Sequence, residues 1–175
     1  MFDRRQSLLI LIAALSLGAV GVALVSQYVF DMPPCAWCVL QRMIYLTIAV
    51  VSIVGALAPR AASAVAAGLA ILLAVSGIAA AWYQHTVASQ MLSCDQTFAD
   101  RFVSGTGLDA AVPALFGIFA TCMDAMVQVL GLEYAVWSLI LFAILTIVGI
   151  AALRAKPAGL SAEEARKRAS LRARR

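Results

Sequence analysis

Four cysteines, Cys35, Cys38, Cys94 and Cys122, carry the most legible chemistry in this chain. Cys35-Ala-Trp-Cys38 closes so small a ring that cross-linking it removes little loop-closure entropy from the unfolded chain. Such a pair is a poor staple and a good redox couple. An even set of cysteines reads as disulfides in an oxidising compartment, and four allow three connectivities. The close pair most simply bridges itself, leaving Cys94 with Cys122. A zinc site of four thiolates usually draws on two tight pairs. Cys94 and Cys122 are separated by 27 residues, so no metal is expected. Pro33-Pro34 ends one segment and lets a helix begin near Cys35. That places Cys38 in the first turn, where the positive end of the helix dipole favours a thiolate. Arg42 follows four residues later on the same face, and a cation within reach favours the thiolate further. An arginine in an apolar segment is a functional-site candidate, although snorkelling to head groups competes with that reading. Beside Cys38, function is the better account. His85 lies at the outer end of another apolar run, close to the depth expected of Arg42. A structural hydrogen-bonding role competes with a functional one there. An acceptor with oxygen atoms held between Arg42 and His85 would be well placed for electrons leaving Cys38.

The elements that position these residues follow from composition. Apolar residues make up 63% of the 175 and charged residues 13%, about half the usual charged share of ~25%. Mean hydropathy is +0.95. These values exclude a soluble cytosolic enzyme, a disordered chain and a nucleic-acid binder. Charge-free stretches of 25, 17, 34 and 20 residues begin at Gln6, Met43, Ala61 and Tyr134. A spanning helix needs about 20 apolar residues, and backbone in hydrocarbon must satisfy its own hydrogen bonds. The chain therefore reads as an all-α membrane protein, a four-helix transmembrane bundle with helices near Ser7–Tyr28, Val39–Ala58, Ala61–Tyr83 and Tyr134–Leu153. The bundle occupies 1–153, and 154–175 form a basic tail. Eleven of the 13 Lys and Arg belong to the N-terminus, the Pro59-Arg60 hinge and the tail. By the positive-inside rule both termini are cytoplasmic, and loops 31–38 and 84–132 face outward. Aromatic residues including Tyr28, Trp37, Trp82 and Trp137 collect at the outer ends, as an interfacial belt does. The first apolar run is longer than the ~7–15 residues of a signal-peptide h-region, so it is expected to remain as a helix.

Two further stretches carry expectations. The tail begins with a capping box, Ser161 to Glu164, and fits either a basic helix on anionic lipid or a solvated topology signal. Leu108–Phe119 is too apolar for a free loop and is expected to lie in part on the membrane surface, anchoring Cys122 near Cys35. A transporter would bury polar groups at mid-membrane, whereas these spans hold only scattered Ser, Thr and Gln. A tetraspan structural protein with non-catalytic loop disulfides is the principal alternative, and it leaves Arg42 beside Cys38 unexplained. Quinone-linked enzymes of the vitamin K epoxide reductase type use similar chemistry with a different cysteine arrangement.

Cys35-Ala-Trp-Cys38-Val-Leu-Gln-Arg42, His85, Cys94-Asp95, Cys122 and Gly131-Leu132-Glu133 with Trp137 together resemble the DsbB family of bacterial inner membranes. The resemblance covers nearly the whole chain, roughly 7–153. Val127 departs from it, standing where the family carries Trp. The resemblance implies a multi-pass inner-membrane oxidoreductase, with its cysteines on the periplasmic side, that reoxidises a DsbA-like thioredoxin-fold oxidase. The implied electron acceptor is a membrane quinone, ubiquinone or menaquinone. It further implies that reduced DsbA attacks Cys94 and releases Cys122, and that Cys122 attacks Cys35 and frees Cys38. Cys38 then donates to quinone beside Arg42, with His85 lining the same pocket. In that family the relay from DsbA to quinone keeps the bacterial periplasm oxidising.

Overall fold

The computed structural model describes residues 3–90, 97–155, 166–167 and 170–172. Cys94, Asp95 and the Ser161–Glu164 capping box lie outside the described residues.

Four long apolar helices dominate the described residues: α1 (Arg4–Val29), α2 (Ala36–Leu57), α3 (Arg60–Thr86) and α7 (Tyr134–Arg154). The first is 26 residues long, or about 39 Å at the α-helical rise, enough to cross a hydrocarbon core of about 30 Å. Asp3 starts it with a reciprocal capping box: its carboxylate accepts from the Gln6 backbone N–H at 2.9 Å, and the Gln6 side chain accepts from the Asp3 N–H at 2.9 Å. Helix α2 begins three residues before the expected Val39, because Cys35 itself serves as its N-cap. Helix α3 follows at once after the Ala58-Pro59 break and continues to Thr86, past the expected Tyr83.

The helices pack in the cyclic order α1, α2, α3, α7, with α1 and α7 touching less extensively than the other neighbouring pairs. Lipid is as apolar as Leu, so association relies on close fit rather than on hydrophobic exclusion between helices. Two glycines supply that fit. A Cβ on Gly55 would lie 2.2 Å from the Ala66 Cβ, and one on Gly77 would lie 2.4 Å from the Phe142 ring. Phe142 is fully buried and stacks on Tyr45, with ring centroids 4.1 Å apart and planes within 3°. The Tyr45 hydroxyl contacts the Ser138 hydroxyl at 2.9 Å and donates to the Ser138 carbonyl at 3.1 Å.

At one end of the bundle, the Arg5 guanidinium donates to the carbonyls of Ala152 and Ala155, both at 3.0 Å, and of Leu153 and Arg60, both at 3.3 Å. The start of α1, the start of α3 and the end of α7 therefore share that end, with Arg4, Arg5, Arg60 and Arg154 among them. Three of the carbonyls belong to the last turn and C-cap of α7, where intrahelical donors run out.

The other end carries the long connection between α3 and α7. Its described part holds a 3₁₀ turn at Ala88–Gln90, α4 (Phe98–Thr106), α5 (Leu108–Ala111), α6 (Pro113–Phe116) and a hairpin of β1 (Gln128–Val129) and β2 (Leu132–Glu133). Helix α4 opens with a Thr97/Asp100 capping box and presses its fully buried Ala99 and Val103 into the cluster around the start of α2. The stretch expected in part on the membrane surface forms two single turns. Phe116 is buried, and Leu115 packs inward against α2 residues. An apolar side chain is equally served by lipid or by a protein groove, and here the groove at α2 takes it.

Candidate redox site

Prolines 33 and 34 offer no N–H, so the extended segment cannot continue α1 as a helix, and α2 starts immediately behind it. Cys35 caps that start: its sulfur accepts from the Cys38 backbone N–H at 3.4 Å. Cys38 therefore occupies the first turn, as the sequence implies. The two sulfurs lie 2.7 Å apart. Cys35 is fully buried and Cys38 is half-buried.

The third cysteine reaches this pair through backbone. Phe119 and Ala120 donate their N–H groups to the Pro34 carbonyl at 3.0 and 3.3 Å. That sews the segment before Cys122 onto the segment before Cys35. Cys122 packs against the buried cluster that holds Cys35 and Trp37. Its thiol pKa is drawn below the ordinary value, first by the hydrogen bond from Cys35, with the Trp37 N–H adding to it. That of Cys35 is pushed well above the ordinary value, first by donating to Cys122, then by donating to Cys38 and by burial. The asymmetry makes Cys122 the readier thiolate of the two and Cys35 the sulfur it faces.

Arg42 is 5% exposed, one helical turn below Cys38. Its Nη1 donates to the Gln27 side-chain oxygen at 2.7 Å and to the Leu115 carbonyl at 3.3 Å, while Nη2 donates to the Ala23 carbonyl at 3.3 Å. One guanidinium thus ties α1 and α6 to α2. Behind the sulfurs, Gln84 of α3 directs its amide nitrogen at Cys38 (3.3 Å) and Cys35 (3.6 Å), and its own oxygen accepts from Gln41 at 2.6 Å.

Cys38, Gln41, Arg42 and Gln84 line the head of a cavity of about 650 Å³. Its body runs down between α1 and α7, where those helices part, along small and apolar residues such as Gly18, Ala19, Leu141 and Ile144. Val127, Val129 and Leu130 from the hairpin region border it, with Trp137 donating to the Val129 carbonyl at 3.0 Å. The smaller Val127 therefore stands on the cavity wall.

His85 is placed differently. Its Nδ1 lies 2.6 Å from a Glu133 carboxylate oxygen, joining the end of α3 to the N-cap of α7, and its ring is not among the groups lining the cavity. The structure brings together Cys35, Cys38, Cys122 and Arg42 and sets His85 apart from the cavity. Cys94 lies outside the described residues. Gln27, Gln41 and Gln84 join the site without having been expected there. A signal for them exists, since each is an amide at the cysteine-bearing end of a long apolar run, and Gln41 falls one turn after Cys38.

Adjacent sulfurs of unequal acidity can exchange disulfides, and an apolar cavity whose polar end is one of those sulfurs can bring an apolar molecule to it. A profile of the disulfide bond formation protein DsbB family matches residues 4–152. Disulfide bond formation protein B of Cupriavidus necator is 34% identical over 139 residues, 79% of this chain and 86% of that protein. Disulfide bond formation protein B 1 of Pseudomonas syringae pv. syringae is 33% identical over 147 residues, 83% and 87% of the respective chains. The protein B of Ralstonia nicotianae is 31% identical over 149 residues, covering 85% and 93%.

Proposed function

The chain belongs to the DsbB family and is a multi-pass membrane protein of disulfide bond formation; from that premise we propose that it reoxidises a DsbA-like periplasmic thiol oxidase and passes the electrons to a membrane quinone. The observation that carries the second half is the cavity itself: an apolar slot between α1 and α7 whose head is formed by Cys38 and Arg42. An apolar, flat ring with carbonyl oxygens fits such a lining. A quinone supplies, when bound, a sink for two electrons and two protons.

The chain's own residues do the rest. In the proposed order the partner's thiolate attacks Cys94, forming a mixed disulfide and releasing Cys122 as a thiolate. Cys122 attacks Cys35; the Cys35–Cys122 bond forms, the Cys35–Cys38 bond breaks, and its electron pair leaves on Cys38. The packing of Cys122 against the cluster that holds Cys35 supports this direction of attack. Exchange rates rise with the thiolate fraction of the attacker. Arg42 supplies a fixed positive charge beside the cavity head, pre-oriented by Gln27 and two carbonyls, so no reorganisation is needed when negative charge arrives. The bacterial inner membrane, with the cysteines on its periplasmic side, is the location this chemistry requires, and ubiquinone and menaquinone both satisfy it.

The test is anaerobic. Purified, oxidised protein is mixed with reduced DsbA and a quinone, and quinone absorbance is followed. Reduction is expected, and Cys38→Ser should slow it about a thousand-fold or more, as loss of a reacting nucleophile does. Absence of reduction by the oxidised protein would sink the quinone-linked reading.

A further inference from the structure

The residue best placed to control the Cys38 sulfur is neither Arg42 nor His85 but the amide preceding His85. We infer that Gln84 is a positioning residue for the redox reaction: its side-chain N–H, held in one orientation by Gln41, donates a hydrogen bond to the thiolate that forms on Cys38. The inference rests on the proposed relay and adds to it the group that makes Cys38 a competent leaving sulfur.

Three observations carry it. The Gln84 amide nitrogen lies 3.3 Å from the Cys38 sulfur and 3.6 Å from that of Cys35. Its orientation is set, because the Gln84 oxygen accepts from Gln41 Nε2 at 2.6 Å, which leaves the nitrogen facing the sulfurs. Both amides are nearly sealed from solvent, with Gln41 4% and Gln84 6% exposed. The Arg42 donors Nη1 and Nη2 are directed elsewhere, at Gln27, Leu115 and Ala23.

The chemistry follows from charge conservation. When Cys122 attacks Cys35, one S–S bond forms and one breaks, and the negative charge passes from the half-exposed Cys122 to Cys38. No proton, oxidant or reductant is consumed in that step. The charge arrives on a half-buried sulfur at the head of an apolar cavity, where hydrogen bonds must do what water would do elsewhere. A hydrogen bond to an anion is worth more than one to a neutral sulfur, so Gln84 favours the state in which the charge has arrived. A neutral donor also leaves no uncompensated charge when the Cys35–Cys38 disulfide is intact. The Gln41 partner makes the donor preorganised, so rotation of the amide need not precede the reaction.

The test compares Gln84→Leu, Gln41→Leu and the double Gln41→Leu/Gln84→Leu variant. Reduced, quinone-free protein is assayed for ultraviolet thiolate absorbance and for the alkylation rate of Cys38 at neutral pH, with modified cysteines identified by mass. Gln84→Leu is expected to lower the alkylation rate of Cys38 about ten- to a hundred-fold, to diminish the thiolate absorbance and to leave Cys122 alkylation unchanged. Quinone reduction should lose kcat with little change in the KM for quinone. Gln41→Leu, which unlocks the amide without removing it, should show a smaller loss of the same kind. The double variant leaves no buried amide unpaired, so its unfolding should recover toward the parent while the Cys38 defect persists. A Cys38 reactivity that recovers along with folding in the double variant would make Gln84 merely structural and overturn the inference. So would an unchanged Cys38 in folded Gln84→Leu. Failure of the parent protein to reduce quinone, with its Cys38 thiolate responding to Gln84 as stated, would instead remove the acceptor from the relay.

Discussion

The packed core of the bundle and its cysteine-bearing end solve different problems. The core is fitted by shape: Phe142 seats against Gly77 and stacks on Tyr45, Gly55 admits Ala66, and Leu9, Ile12 and Ile48 are fully buried with them. The cysteine-bearing end is tied by polar groups: Arg42 to Gln27, Gln84 to Gln41 and the sulfurs, His85 to Glu133. It also holds the head of the cavity. Shape fits tightly but offers nothing to react; polar pairs cost desolvation and leave space, but they can hold charge. Stability and chemistry thus rest on different kinds of contact in one bundle, and mutations in each should fail separately.

Gly77→Ala puts this division under the greatest load. Alanine in place of helical glycine is worth about 1 kcal/mol in propensity. Against that, the new Cβ would stand 2.4 Å from a Phe142 ring that is fully buried and stacked on Tyr45, so the ring has little room to retreat. Overpacking of this kind costs about 1–3 kcal/mol, and the net change should be destabilising. Thermal unfolding in detergent should show a lower midpoint, with Gly77→Ala/Phe142→Leu recovering most of it. Quinone reduction per folded molecule should stay close to that of the parent. If activity per folded molecule fell as steeply as stability, shape and chemistry would not be separable.

The polar half is less legible in the sequence than the apolar half, for a physical reason. The long charge-free runs declare α1, α2, α3 and α7 because bilayer thickness demands their length. Cys35, Cys38, Cys122 and Arg42 declare themselves by rarity, and Pro33-Pro34 announces the start of α2. Gln41 and Gln84 do not, since an amide in an apolar run is ordinary until its partner is known, and they are 43 positions apart. His85 shows the converse. Its depth along the chain matches that of Arg42, but depth does not fix the direction of a side chain, and Glu133 at the N-cap of α7 holds it. The inward turn of Leu115 and Phe116 is hidden for the same reason, as composition does not distinguish a lipid-facing surface from one facing α2.

At the cysteine-bearing end, acidity orders the two sulfurs outside the spans, and a pH series resolves that order. The pKa of Cys122 is drawn below the ordinary thiol value, chiefly by the hydrogen bond from Cys35, and that of Cys35 is raised, chiefly by giving that bond. For thiols the reactive form appears above the pKa. Alkylation of Cys122 in the fully reduced protein should therefore reach half its maximum rate below the free-cysteine value of about 8.5, and that of Cys35 above it. Mass mapping of alkylated peptides across pH measures both in one experiment. Coincident midpoints would remove the difference in acidity between the two thiols.

The smallest effect is expected at the hairpin that borders the cavity. Its two-residue turn places both Leu130 (φ 53°) and Gly131 (φ 81°) in the left-handed region. A turn with positive φ at both central residues suits the twist of its strands and favours Asn-Gly. Gly131 adopts this conformation freely, whereas Leu130 bears a left-handed penalty of about 1–2 kcal/mol. Leu130 is 88% exposed, so little packing offsets that cost. Leu130→Asn should therefore raise stability by about 0.5 kcal/mol, the fraction of the penalty that Asn escapes. The measurable consequence is a slightly higher unfolding midpoint with β1 and β2 intact. Because Leu130 also borders the cavity, the same variant separates two reasons for an apolar residue there. A gain in stability with unchanged KM for quinone would make Leu130 a strained turn residue only. A gain in stability with a raised KM would show that the strain is kept because the side chain covers the slot between α1 and α7.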